Sequence, residues 1–135
     1  MKTKAVMTQT EISQILAASR QEALAHGWAV SIAIVDDGGH LLAFERLDGA
    51  NPISSYISIE KARTAALGRR ESKGYEEIVN GGRTAFLGAP LLTPLEGGVP
   101  VIVDGQVIGA VGVSGVKSED DAYVAKAGIQ ALNAD

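Results

Sequence analysis

Two turn signals flanked by strand-like runs do most to set what this chain can fold into. Residues 29–35 read AVSIAIV, a β-branched run of strand length, and Asp36-Asp37-Gly38-Gly39 follows with residues that tolerate positive φ. Residues 40–47 (HLLAFERL) continue as a second strand, so the spacing predicts an antiparallel hairpin. Residues 99–103 and 106–114 flank Asp104-Gly105, a dipeptide suited to the positive-φ positions of a two-residue hairpin loop. Two hairpins separated by helical sequence predict an antiparallel α+β domain and argue against a parallel Rossmann sheet.

Helix signals fill the spaces around the hairpins. Thr8 and Glu11 have capping-box spacing, Ile12, Ile15, Leu16 and Ala23 follow at helical spacing, and Gly27 is a natural stop. Residues 48–52 (DGANP) form a turn in which Asn51 is placed to cap a helix and Pro52 to occupy its first position. The helix over 53–67 carries Ile53, Ile57, Ile59, Ala62, Ala65, Ala66 and Leu67 on no single narrow stripe. This predicts burial on two sides, by the sheet and by a second surface such as a neighbouring subunit. A short helix over 75–80 ends at Gly81-Gly82, and 84–98, with Pro90 and Pro94, is expected to be irregular with at most a short strand. Ser118 is placed to cap a last helix carrying Tyr123, Val124, Ala127 and Leu132. The expected order is α-β-β-α-(α)-β-β-α, with one domain filling residues 1–135.

Composition removes several functional classes. A chain of 135 residues with 46% hydrophobic and 21% charged residues can build a core without staples. Its net charge of −4, with no basic run, argues against nucleic acid and anionic membrane surfaces as partners. The absence of cysteine excludes disulfides, thiolate metal sites and cysteine nucleophiles. No run approaches the ~18 apolar residues of a membrane span, and residues 1–14 contain no signal-peptide core, so a cytoplasmic location is expected.

Few residues stand out as chemistry. His26 and His40 are the only histidines. His26, near the end of the first helix, either complements the helix dipole or serves as an axial ligand to haem iron. His40, beside a hairpin turn, reads as a solvent-facing strand residue. Arg46 and Asp48 close the second strand, and Lys61 and Thr64 lie one turn apart on the second helix. A cation and a hydroxyl at that spacing either hold a ligand's carboxylate or phosphate, or belong to a solvated face, a reading that the adjacent Glu60 favours. Gly97-Gly98 and Gly112-Val113-Ser114-Gly115 are turns whose N–H groups suit an anion, although a strand-to-helix turn needs glycine in any case. Gly109 and Gly112 inside a strand mark close backbone approach or a subunit contact. Asp36, Asp37, Asp48, Asp120 and Asp121 match no calcium loop, and turn-forming and capping roles account for all five.

The ordered set VDDGGHLLAFERLDGA, IEKARTAALG and GGVPVIVDGQVIGAVGVSG, followed by a helix containing Asp120, resembles the GlcG/HbpS family of haem-binding and haem-degrading proteins, which includes the C-terminal domain of PduO-type proteins. The resemblance spans about residues 8–132. It implies a profilin-like α-β-β-α-β-β-β-α domain whose antiparallel sheet is flanked by helices, and homodimers or larger homo-oligomers. It implies binding of haem or a related tetrapyrrole, in some members with slow haem breakdown or iron binding, and it places others in catabolic operons for glycolate, diols or aromatic compounds. Carried onto this chain, the family motif marks Asp36, Gly38, Gly39, Arg46, Asp48, Gly49, Lys61, Ala62, Thr64, Gly97, Gly98, Pro100, Gly109, Gly112, Ser114 and Gly115.

Three functions are compatible with this pattern. The first is a ligand-binding protein for haem or another planar, carboxylate-bearing small molecule. Arg46, Lys61, Thr64, Gly97, Gly98 and Ser114 would line its site, and His26 would reach the iron. The second is a cofactor-free enzyme, a tautomerase, enamine or imine deaminase or hydrolase, in which Asp48 or Glu96 moves a proton on a carboxylate-bearing catabolic intermediate. The third is an oligomeric accessory subunit whose pocket is vestigial.

Overall fold

The structure, a computed structural model, describes residues 1–133. Thr8 opens α1 (Gln9–Ala25) as the capping-box spacing predicts. Its backbone N–H and its hydroxyl both donate to the Glu11 carboxylate, at 2.7 and 2.9 Å. The helix ends at His26, and Gly27 follows at φ +69°.

Strands β1 (Ser31–Asp36) and β2 (Leu41–Arg46) form the first hairpin, closed by Asp36, whose Oδ1 accepts the N–H groups of Gly38 and His40 at 2.9 Å. Asn51 then caps α2 (Ile53–Gly68): its Oδ1 accepts the Ser54 N–H at 3.1 Å, and Pro52 already has helical dihedrals. A short α3 (Lys73–Asn80) and a 3₁₀ turn (Thr84–Gly88) lead to the second hairpin, β3 (Gly98–Val103) and β4 (Gln106–Ser114). Asp104 and Gly105 both take positive φ, 52° and 74°, as the hairpin loop requires. The last helix is α4 (Ser118–Gln130).

The four strands make one antiparallel sheet in the order β2-β1-β4-β3. Side-chain alternation sorts the core into two layers. Ile32, Ile34, Val111 and Val113 face α1 and α4, where Ile12, Ile15, Val124 and Ala125 complete the larger core. Ala33, Val35 and Ala110 face α2, which offers Ala62, Ala65 and Ala66. The α2 layer is thin because Gly98 and Gly112 pair across β3 and β4 directly beneath the helix. A Cβ on Gly112 would overlap the Ser58 carbonyl, and one on Gly98 the Lys61 carbonyl. Close backbone approach therefore explains Gly112, and Gly109, packed against Met7 and Val35, has the same reason.

The α+β class and the helix-flanked antiparallel sheet are as expected, but two details differ. The additional strand before β3 that the resemblance implies is not formed among the described residues. Pro90 and Pro94 lack the N–H a ladder needs and Leu91 sits at φ 57°, so the segment after the 3₁₀ turn is irregular. Ser118 does not cap α4; Lys117 holds the cap position, and the nearby free N–H of Val116 is satisfied by Asp121 instead, at 3.1 Å. Helix α2 packs its small residues on the sheet and leaves Ile53, Tyr56 and Leu67 exposed, so one of the two expected burials is formed within the protomer.

Candidate functional site

Of the residues expected to hold a ligand's carboxylate, Lys61, Gly97, Gly98 and Ser114 lie together where β3 begins and β4 ends, and Arg46 does not. Close packing of α2 on Gly98 and Gly112 brings Lys61 there, and its ammonium donates to the Val113 carbonyl and to Asp121 Oδ2, both at 3.0 Å. Lys61 and Asp121 are 2% and 1% exposed, so in place of an open anion pocket the chain has a filled one. The anion beside the Gly112–Gly115 turn is the chain's own Asp121 carboxylate, bound by Lys61 and the Val116 N–H. Burial pushes the Asp121 carboxyl above its ordinary range, against the opposing pull of the Lys61 ammonium and of both hydrogen bonds.

The neighbouring polar groups are also committed internally. Thr64 is buried, and its hydroxyl accepts the Thr93 N–H at 2.8 Å. The Gly98 N–H donates to Ser72 Oγ at 2.8 Å, and the Gly97 carbonyl accepts from Val113 N–H at 3.0 Å. Ser114 is buried and pairs with Ser31 across β4 and β1. Arg46 pairs with Ser31 across β2 and β1 and so lies on the α2 side of the sheet; it is exposed, as is Asp48 just beyond it.

On the other side of the sheet a groove of about 660 Å³ runs between α1 and α4; Glu96 lines it, and His26 lies beside it, against the lining residue Tyr123. Its small apolar lining is Ala18, Ala25, Ala122 and Ala127; its polar rim includes Glu22, Glu96, Glu119 and Lys126. Tyr123 also lines it, the phenol pushed above its usual value by a hydrogen bond to Glu22 and by that residue's charge. The His26 ring sits edge-on to Tyr123, with centroids 5.6 Å apart, and stacks on Trp28 at 4.2 Å. Its Nδ1 lies 3.0 Å from the Glu22 carbonyl oxygen. A carbonyl oxygen can only accept, so Nδ1 is the donor in that contact, with the Glu22 carboxylate 3.6 Å away, and Nε2 has no hydrogen-bond partner among the described residues, the arrangement a metal-ligating histidine uses. His40, by contrast, is exposed and held through Nδ1 by Asp36 at 3.0 Å. The structure therefore places His26 on the opposite side of the sheet from Arg46, whereas Glu96 precedes Gly97, which packs against the Lys61 ammonium.

Trp28 and Glu22 complete these centres without having been singled out from the sequence, Tyr123 was read only as a residue of the last helix, and Asp121, read there as a turn-forming or capping residue, also carries the buried ion pair with Lys61. The signal for Asp121 is present: with Val124, Ala125 and Gly128 it falls at helical spacing on the buried stripe of α4, where a carboxylate needs a cation.

A protein-family model described as haem-degrading protein HbpS-like matches residues 7–130. Protein GlcG of Escherichia coli K12 is 68% identical over 114 residues, covering 84% of this chain and 85% of its own length. Among solved structures, a double mutant of Streptomyces reticuli HbpS superposes with a TM-score of 0.89 at 28% identity, covering 98% of this chain and 90% of its own. A complex described as PduOC with haem gives 0.88 at 25% identity and covers 96% of each chain.

Proposed function

This chain belongs to the HbpS-like family, and on that premise we propose that it binds haem or a close tetrapyrrole in the α1/α4 groove, with His26 as the iron ligand. The observation that supports this reading is the His26 Nδ1 contact with the Glu22 carbonyl, which leaves Nε2 without a partner among the described residues, next to Trp28 and to Tyr123, a lining residue of the groove. These groups fit a flat apolar ring with a metal at its centre: the alanines leave room, the aromatics give a wall, and imidazole is a common iron donor. When bound, the group would supply a redox-active iron; the chain supplies the ligand nitrogen and a partly shielded surface. The solved PduOC–haem complex supports the choice of ligand. We further propose that the exposed Ile53, Tyr56 and Leu67 of α2 are covered in a homodimer or larger homo-oligomer, and that the protein acts in the cytoplasm as an accessory to a catabolic pathway.

Haemin titration followed by absorbance tests the binding. We expect saturable binding with a shifted Soret band, and a band that moves and binding that weakens at least tenfold in His26→Ala, since a lost metal ligand typically costs about that much or more. No saturable binding at micromolar haemin, or an identical spectrum in the variant, overturns the assignment.

A further inference from the structure

The charges around the groove do not match the ligand's own. Glu22, Glu96 and Glu119 line it with carboxylates against one ammonium, Lys126, which already sits 3.3 Å from Glu71. The cations that sequence reasoning assigned to a ligand's carboxylates are elsewhere. Lys61 is buried against Asp121, and Arg46 lies on the far side of the sheet. A groove lined by an excess of one charge sets up a potential that repels a ligand group of the same sign, the more so at low ionic strength.

We propose that the α1/α4 groove discriminates its planar ligand by charge: it takes an uncharged or cationic edge against α1 and α4 and disfavours carboxylates on the part that enters. For a tetrapyrrole carrying two carboxylate arms, the arms are directed outward to water, and the affinity comes from the ring and from iron ligation. Glu96 and Glu119 are then specificity-determining residues, placed to repel rather than to bind. This inference rests on the groove being the ligand site.

The test compares haemin with its dimethyl ester, which keeps the ring and iron and removes both carboxylate charges, in the same buffer with the same low fraction of dimethyl sulfoxide. The ester is expected to bind roughly tenfold more tightly than haemin at low salt, with the gap narrowing as ionic strength rises. The double variant Glu96→Gln, Glu119→Gln should tighten haemin selectively and close most of that gap. Glu60→Gln on α2 should leave the ratio unchanged. Equal affinities for the two ligands, a preference for haemin, or a ratio that the double variant does not move overturns the charge discrimination while leaving His26-dependent binding intact. If neither ligand binds saturably, the groove assignment falls and the discrimination falls with it.

Discussion

Lys61 and Asp121 show how a residue pair can look like a binding site and serve as an internal one. Each charge is buried, and each is compensated chiefly by the other. Removing one partner strands the second in the core, which typically costs about 3–5 kcal/mol, whereas replacing both with apolar residues of similar size is often neutral. Lys61→Met and Asp121→Asn are each expected to lower stability by about that amount in urea unfolding, and Lys61→Met with Asp121→Leu to recover most of it. The acid response separates two kinds of carboxylate. Asp36 resists a raising effect of burial because the His40 and Gly38 N–H groups and the His40 ring hold its charged form, so its carboxyl lies below the ordinary range. Stability from that group is present above the ordinary carboxylate range and is lost as pH falls through the lowered value. Asp121 has the opposite sign: its folded form holds a proton more tightly, so its own contribution declines as pH rises from the ordinary range to its raised value. Asp36→Asn should therefore shrink the drop in melting temperature between roughly pH 6 and pH 3 relative to the parent protein. Residue types and spacing left a ligand-holding cation and a solvated one both open, and the family resemblance grouped Lys61 with the glycine turns; only the long-range fold shows that the anion is Asp121.

At the scale of elements, the α2 layer depends on absent side chains. Gly112→Ala places a methyl group into the α2 backbone, and its cost should reach about 3 kcal/mol, at the upper end for overpacking. Gly88→Ala, which meets nothing within 4 Å, is expected to change stability by less than about 0.5 kcal/mol in the same unfolding experiment. Both hairpins and the caps from Thr8 and Asn51 were legible because each is written within a few residues: positive-φ turn residues, a hydroxyl three positions before a carboxylate, an asparagine before a proline. The stretch from Thr84 to the start of β3 was not, because its path is set from a distance. Thr64 holds Thr93, Ser72 holds Leu95 and Gly98, and Glu76 accepts the Glu96 N–H at 3.2 Å. Ser72→Ala leaves the buried Gly98 N–H without its partner and should cost about 1–3 kcal/mol, with faster proteolytic cutting in the preceding segment as the second readout.

Over the whole molecule, the sheet acts as a partition. One side carries α2, Arg46 and a set of exposed apolar side chains; the other carries α1, α4, the groove and His26. Arg46 and His26 therefore stand on opposite sides of the sheet within one protomer. The α2 side instead has the apolar character of an association surface, and sedimentation velocity is expected to show a species larger than 14.0 kDa that Tyr56→Glu shifts toward the monomer. The fold class was readable because alternation and turn chemistry determine which strands pair. The division of candidate residues between two faces was not, because a side depends on register, which sequence spacing leaves open.

The stacking of Trp28 on His26 has a practical meaning of its own. Trp28 is the chain's only tryptophan. Light emitted by the whole protein under selective excitation thus originates beside one histidine, at the junction of α1 and β1. The molecule carries its own optical reporter, and loosening of that junction will register in emission even while the rest of the sheet stays intact.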